Sequence, residues 1–170
     1  MSDRQIQTPK IVARYMASMI PDGVKTILEP SPGEGNLVMA IQENGSYKIT
    51  APDDFFLLKP SRFDCIVMNP PFSTQSLNNL NAPASVKKLT GSKTGYYFLM
   101  NLLTWSDNII ALMPWYFIIN SQKRTNILVE YGLVSVTNLP RKTFNSIVQT
   151  VVIQLQYGYR KNTIFKQFNF

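Results

Sequence analysis

Apolar residues recur at helical spacing through Ile11, Val12, Tyr15, Met16 and Met19, the pattern of a helix that buries one stripe. Thr8-Pro9 precedes this run and Pro21-Asp22-Gly23 follows it. A threonine suited to capping, a proline tolerated in the first turn and a turn signal therefore bound the helix. Residues 25–29 predict a strand, followed by a Pro/Gly loop and a helix through Leu37, Val38 and Ile41 that stops near Asn44-Gly45. Residues 47–50 predict a short strand. Residues 64–68 predict a central one, because Cys65-Ile66-Val67-Met68 is apolar at every position, as in a strand covered on both faces. A polar loop over residues 73–94 leads to a helix over 96–105, a strand over 108–113 and a helix over 122–130. Met100, Leu102 and Leu103 read as core positions of the first of these helices, and Asp107-Asn108 as a turn. Residues 133–138 and 148–156 predict an antiparallel pair at the sheet edge. This alternation implies one α/β domain over residues 1–170 with a mainly parallel sheet.

One interval is too short for a regular doubly wound sheet, which would place two strand-helix crossovers between Pro30 and Phe63. A parallel crossover takes roughly a dozen residues or more, so one fits and two full ones do not. A helix on one sheet face is expected to be missing or reduced to a loop.

Composition narrows the chemistry. An apolar content of 45% with 16% charged residues is that of a folded globular chain, not a disordered one. The net charge of +7 suits a polyanionic partner such as nucleic acid. Cys65 is the single cysteine and there is no histidine. These absences exclude an intrachain disulfide, a cysteine zinc site, an imidazole general base and histidine metal ligands. Cys65 itself reads as a buried, inert thiol. Met1-Ser2-Asp3-Arg4-Gln5 lacks a secretory apolar region and no run is long enough to span a bilayer; the expectation is an intracellular protein with no membrane partner.

Two segments carry candidate chemistry. In Ile27-Leu28-Glu29-Pro30-Ser31-Pro32-Gly33-Glu34-Gly35-Asn36 a strand gives way to a helix. Glycines there let the backbone approach a ligand and adopt positive φ, and Glu29 lies where open α/β sheets bind ligands. Its carboxylate can pair with the amino group of a bound amino-acid moiety; a plain glycine-containing turn is the alternative. Asn69-Pro70-Pro71-Phe72 follows the central strand. An aromatic amino nitrogen is a poor nucleophile because its lone pair is delocalised into the ring. Two acceptors aimed at its hydrogens, the Asn69 amide oxygen and a main-chain carbonyl such as that of Pro70, draw it towards a reactive geometry. The prolines hold that carbonyl rigidly, and Phe72 offers a stacking face. The other reading of Asn-Pro-Pro is a strand terminator.

These residues resemble the amino-group methyltransferases, specifically the N6-adenine DNA methyltransferases with the cofactor motif ahead of the catalytic one. Gln7-Thr8-Pro9 with Val12-Ala13-Arg14-Tyr15-Met16 is similar to that family's N-terminal cofactor-flanking motif. Glu29-Pro30 with Gly33 and Gly35 resembles its methionine-binding loop, Asp54-Phe55 its adenine-contacting pair, and Asn69 to Phe72 its catalytic tetrapeptide. Leu139-Pro140-Arg141-Lys142-Thr143-Phe144, followed by Val148-Gln149-Thr150-Val151-Val152-Ile153, resembles the segment whose aromatic residue stacks on a flipped base. The resemblance implies a Rossmann-like methyltransferase fold, S-adenosyl-L-methionine as cofactor and adenine N6 as target, with no metal required because the sulfonium is already activated. It also implies Phe144 as the base-stacking residue, an ordinary core aromatic being the alternative.

The chain departs from the family in two places. Where the family has an acidic ribose-binding residue and a helix after strand two, Thr50-Ala51-Pro52-Asp53-Asp54 is compressed, leaving Asp53 as the candidate substitute. A separate target-recognition domain has no room before Phe170, so a specificity subunit or a homodimer is expected to supply it. Arg141 and Lys142 border the expected base pocket and are candidate phosphate contacts. Lys87, Lys88 and Lys93 are weaker candidates on a solvated loop. The same chemistry on RNA adenine or protein glutamine, or a non-catalytic nucleic-acid- or partner-binding subunit, are the rival functions.

Overall fold

The computed structural model describes residues 7–71, 79–89, 92–144 and 149–169. Helix α1 (Lys10–Ser18) buries Val12, Ala13, Met16 and Ala17. Of the predicted stripe Val12 and Met16 are buried, Tyr15 and Met19 are half-buried and Ile11 is exposed, because the buried face is rotated towards the two alanines. The expected threonine cap is not made. Pro9 occupies the capping position without a side-chain hydrogen bond, because the Thr8 hydroxyl instead accepts from the side chain of Asn69.

Among the described residues seven strands form one sheet in the order β2-β1-β3-β4-β6-β5-β7. Strands β1 (Thr26–Leu28), β2 (Lys48–Thr50), β3 (Cys65–Met68) and β4 (Asn108–Pro114) pair in parallel. The expected antiparallel pair is β5 (Leu133–Asn138) with β6 (Thr150–Gln156), and β6 also pairs antiparallel with β4. Beyond it β7 (Ile164–Gln167) adds the outermost strand, parallel to β5. All four of its residues are exposed, so no hydrophobic alternation announces it in the sequence.

Period-two alternation sorts the strand residues onto two faces. Ile27, Cys65, Val67, Ile110, Leu112 and Val152 meet α1 and α2 (Asn36–Asn44). Leu28, Ile66, Met68, Ile109, Ala111, Met113, Val151 and Ile153 meet a second layer. That layer is built by α4 (Ser92–Leu102), α5 (Trp115–Ile119) and α6 (Gln122–Tyr131). The four-residue α3 (Ala84–Lys87) and α5 are short helices that the polar loop and the strand-like apolar run did not signal. No helix among the described residues is long and apolar enough to cross a membrane.

The short interval resolves as expected. Helix α2 carries the chain from β1 to β2, but the return to β3 passes through a single 3₁₀ turn, Phe55–Leu57. Aromatic side chains take the place of the absent helix. The Phe55 ring lies 4.8 Å from that of Phe98 and 5.7 Å from that of Trp105, within the range of favourable aromatic pairing. At the amino end of the strands, Asp64 accepts from the backbone N–H of Lys25 and Thr26 at 2.9 and 2.8 Å. Its own N–H donates to Thr26 Oγ1 at 3.0 Å, which fixes β1 against β3 before the pairing starts.

Gly132 ends α6 at φ 135°, and a β-carbon added there would lie 2.0 Å from the main-chain oxygen of Gln156. Gly132→Ala is therefore expected to lower unfolding free energy by about 3 kcal/mol or more, combining left-handed strain with a backbone clash. Urea denaturation checks this; an unchanged midpoint would show that the α6–β5 turn can rearrange freely.

Candidate functional site

Because β1 and β3 are parallel neighbours, with Leu28 opposite Ile66, the segments after them leave the same sheet edge side by side. The first contains Glu29, whose N–H bonds Thr50 of β2 at 2.9 Å. Its loop turns through Gly33 at φ 54° and Gly35 at φ 84°, and Gly35 caps α2. A β-carbon on Gly35 would meet nothing within 4 Å, so the left-handed backbone, not lack of space, calls for glycine there.

The Glu29 carboxyl group is 1% exposed. Oε1 accepts from the Ser31 N–H at 3.1 Å and the Ser31 hydroxyl at 3.4 Å. Oε2 is buried with no hydrogen-bond partner among the described residues. Burial pushes the group up to about 8, against the lowering influence of the two Ser31 hydrogen bonds. A buried carboxyl without a full set of donors favours its neutral form, with the proton on Oε2, which becomes an acceptor when the group ionises.

Asn69 connects to this loop through its backbone and to the N-terminal segment through its side chain. Its main-chain oxygen accepts from Ser31 Oγ at 3.0 Å, while its Nδ2 donates to Thr8 Oγ1 at 3.1 Å. Thr8 is 4% exposed, and its carbonyl accepts from Asn36 Nδ2 at 3.0 Å. The backbone N–H of Glu34 bonds the Gln7 side chain at 3.1 Å. Thr8-Pro9, the Glu29–Gly35 loop and Asn69 are thus one hydrogen-bonded unit. Pro30 and Pro70 are buried beside it and Pro71 half-buried; Phe72 lies outside the described residues, as does Val148.

Other candidates sit at different parts of the same edge. Asp53 is exposed after β2. Asp54 Oδ1 accepts from Phe56 N and Asn79 Nδ2, and its Oδ2 accepts from Asn81 Nδ2 at 2.7 Å. The Asn81 bond foremost holds this carboxyl below the usual range. Asp54 therefore ties the loop before α3 to the 3₁₀ turn, and Phe55 is packed into the aromatic cluster. Lys87 also ties this loop, donating to Leu80 O at 2.9 Å, whereas Lys88 and Lys93 are exposed.

Strand β5 runs in the same direction as β4, since both are antiparallel to β6. Its carboxyl end opens into the 3₁₀ turn Arg141–Thr143 and Phe144 at the edge that carries Glu29 and Asn69. Arg141 and Lys142 are exposed there, and Phe144 is half-buried against the α1–α2 core. Sequence reasoning passed over Ser31, Asn36, Asn79 and Asn81. The first two had a signal in their place: each adjoins a residue of the Glu-Pro…Gly-x-Gly loop.

The sequence matches no protein-family model and no curated protein. Among solved structures, the chain is similar to a methyltransferase subunit of a type I restriction-modification system from Streptococcus thermophilus. The identity is 19% and the TM-score 0.66, covering 96% of this chain and 47% of that one. A modification subunit described as part of a type I restriction enzyme from Vibrio vulnificus matches at 16% identity and a TM-score of 0.71, over 96% of this chain and 47% of that one. A protein from Listeria monocytogenes described as a class I S-adenosylmethionine-dependent methyltransferase matches at 14% and 0.71, over 99% and 67%. The chain spans about half the length of the two restriction-modification subunits. What it shares with all three is the Rossmann-like methyltransferase fold.

Proposed function

We propose that this chain is an S-adenosylmethionine-dependent methyltransferase domain that modifies an exocyclic amino group, adenine N6 in DNA. The observation that carries the reading is the buried, unpartnered Oε2 of Glu29, joined through Ser31 to Asn69. An amino-acid ammonium is the donor that such an acceptor fits, and the glycine loop beside it admits close main-chain approach. Thr8 and Pro9 flank this pocket, Pro30, Gly33 and Gly35 shape it, and Asp53 takes the place of the acidic ribose ligand. Asp54, held by Asn79 and Asn81, is assigned with Phe55 to the adenine moiety.

S-adenosylmethionine, when bound, supplies a methyl group already activated by its sulfonium. The protein's part is to prepare the acceptor. The bond to Thr8 uses the donor side of the Asn69 amide, in keeping with the amide oxygen serving as acceptor for a substrate amine. Together with the Pro70 carbonyl it accepts from both hydrogens of that amine and localises the lone pair. Phe72 and Phe144 stack on the base, which must leave its helix to reach them. The proton released on transfer passes to solvent.

Arg141, Lys142, Lys87 and Lys88 supply phosphate contacts. Such contacts position a duplex without reading its sequence, so a specificity subunit or a second copy selects the site.

Asn69→Ala should lower the rate of methyl transfer by roughly 100- to 1000-fold, the usual effect of removing one preorganised polar group, while cofactor affinity measured by calorimetry stays near wild type. Transfer at the wild-type rate would refute the assigned chemistry.

Glu29 gives a pH signature. In the free protein it holds a proton up to about pH 8, against 4.5 for a glutamate in water. A raised folded-state value means that its contribution to stability is full below about 4.5 and lost as pH rises through about 8. Thermal stability of the free protein should therefore fall across that window, and Glu29→Gln should flatten the fall. An ammonium at Oε2 favours the ionised form, so below about pH 8 the cofactor association constant should rise by up to roughly tenfold per pH unit. Calorimetry in buffers of different ionisation enthalpy reads the released proton; pH-independent binding would exclude Glu29 as the partner.

Replacing Arg141 and Lys142 together with alanine should weaken DNA binding uniformly across sequences and reduce the salt slope by about one for each cation removed. Fluorescence anisotropy at several salt concentrations tests this, and an unchanged slope would move the phosphate path elsewhere.

A further inference from the structure

Ser31 has one hydroxyl proton and two acceptors within reach. Oγ lies 3.0 Å from the main-chain oxygen of Asn69 and 3.4 Å from Oε1 of Glu29, and the Ser31 N–H holds that same Oε1 at 3.1 Å. A hydroxyl hydrogen rotates towards the stronger acceptor, and an ionised carboxylate outranks a neutral carbonyl. With Glu29 neutral, the shorter contact to Asn69 takes the proton. With Glu29 ionised, Oε1 draws it away. Ser31 is the one residue hydrogen-bonded to both Glu29 and Asn69 in the bonds described above.

We propose that Ser31 is a positioning residue that couples occupancy of the Glu29 pocket to the Asn69-Pro70 turn, a proposal that rests on the roles given above to Glu29 and Asn69. A cationic amine arriving at Oε2 releases the Glu29 proton to solvent. The Ser31 hydroxyl then turns to Oε1, and the Asn69 carbonyl gives up its donor. Below the Glu29 midpoint, the turn that activates the substrate amine thus changes its hydrogen bonding when the methyl donor arrives. Among the described residues no charged side chain on α1, α2 or the segment after β3 enters the balance at Glu29. Burial opposes ionisation, and Ser31 alone favours it.

The free protein gives a readout that requires no turnover. The ¹³C carbonyl shift of Asn69 is followed by NMR through the titration of Glu29, from about two units below to about two units above its midpoint. In the wild type the Asn69 carbonyl is expected to titrate with Glu29. The response should vanish in Ser31→Ala and in Glu29→Gln and return in Ser31→Thr, which keeps the hydroxyl. A flat wild-type carbonyl, or one that titrates equally in Ser31→Ala, overturns the coupling. Should Ser31→Ala fail to fold, the pair Ser31→Thr and Glu29→Gln decides it in the same way, by retention in the first and loss in the second. Calorimetry with S-adenosylmethionine follows, in which Ser31→Ala should weaken binding by roughly two- to tenfold, the worth of one hydrogen bond. A carbonyl that titrates in a wild-type protein giving no heat of binding overturns the cofactor reading of the pocket instead.

Discussion

The parallel pairing of β1 with β3 decides where every candidate group can stand, because two neighbouring strands that run the same way must release their chains at the same edge. Asp64 sets the pair at one end, binding the N–H groups of Lys25 and Thr26. Ser31 closes it at the other, binding the oxygen of Asn69. Between these clamps only two register pairs, Ile27 with Cys65 and Leu28 with Ile66, are needed. The brevity of β1 follows from this arrangement: three residues suffice when side chains complete the ladder at both ends.

That geometry creates the tension at Glu29. The same closeness that brings its loop to Asn69 removes its carboxyl group from water, and Ser31 satisfies one oxygen only. A buried polar atom without a partner destabilises a fold by about 1–3 kcal/mol. The site is thus built at the expense of the free protein's stability, the usual relation between a binding pocket and its scaffold.

Most of the architecture was legible because it rests on periodicity. Cys65 to Met68 is apolar on both faces since both faces are covered. The spacing located α1 and two of its buried residues, Val12 and Met16, though not the rotation that exposes Ile11 and buries Ala13 and Ala17. The shortfall between Pro30 and Phe63 was legible by length alone, and the 3₁₀ turn at Phe55 is its outcome. Strand β7 was not, because an edge strand whose four residues face solvent has no apolar alternation to read. At the site, Glu29, Asn69 and Thr8 were recognisable by type and context. Ser31 and Asn36 had only their place in the loop to mark them, because the role of a small polar residue there is set by what stands opposite it. The same holds for Asn79 and Asn81, distant along the chain, whose bonds to the Asp54 carboxylate no local pattern announces.

The missing helix after β2 leaves a mark on the molecule's motions. Strand β2 is outermost, only three residues long and hydrogen-bonded to a single neighbour. Its burial comes from α2 on one face, and the chain beyond it returns through Phe55 without a helix to brace the other. Segments with few buried contacts open locally at far lower free energy than the core. The amides of Lys48 to Thr50 would then exchange with solvent on their own clock, ahead of the central strands. The edge of the sheet nearest Asp53 is thus the part expected to open first, while β1 and β3, paired on both sides, open with the core.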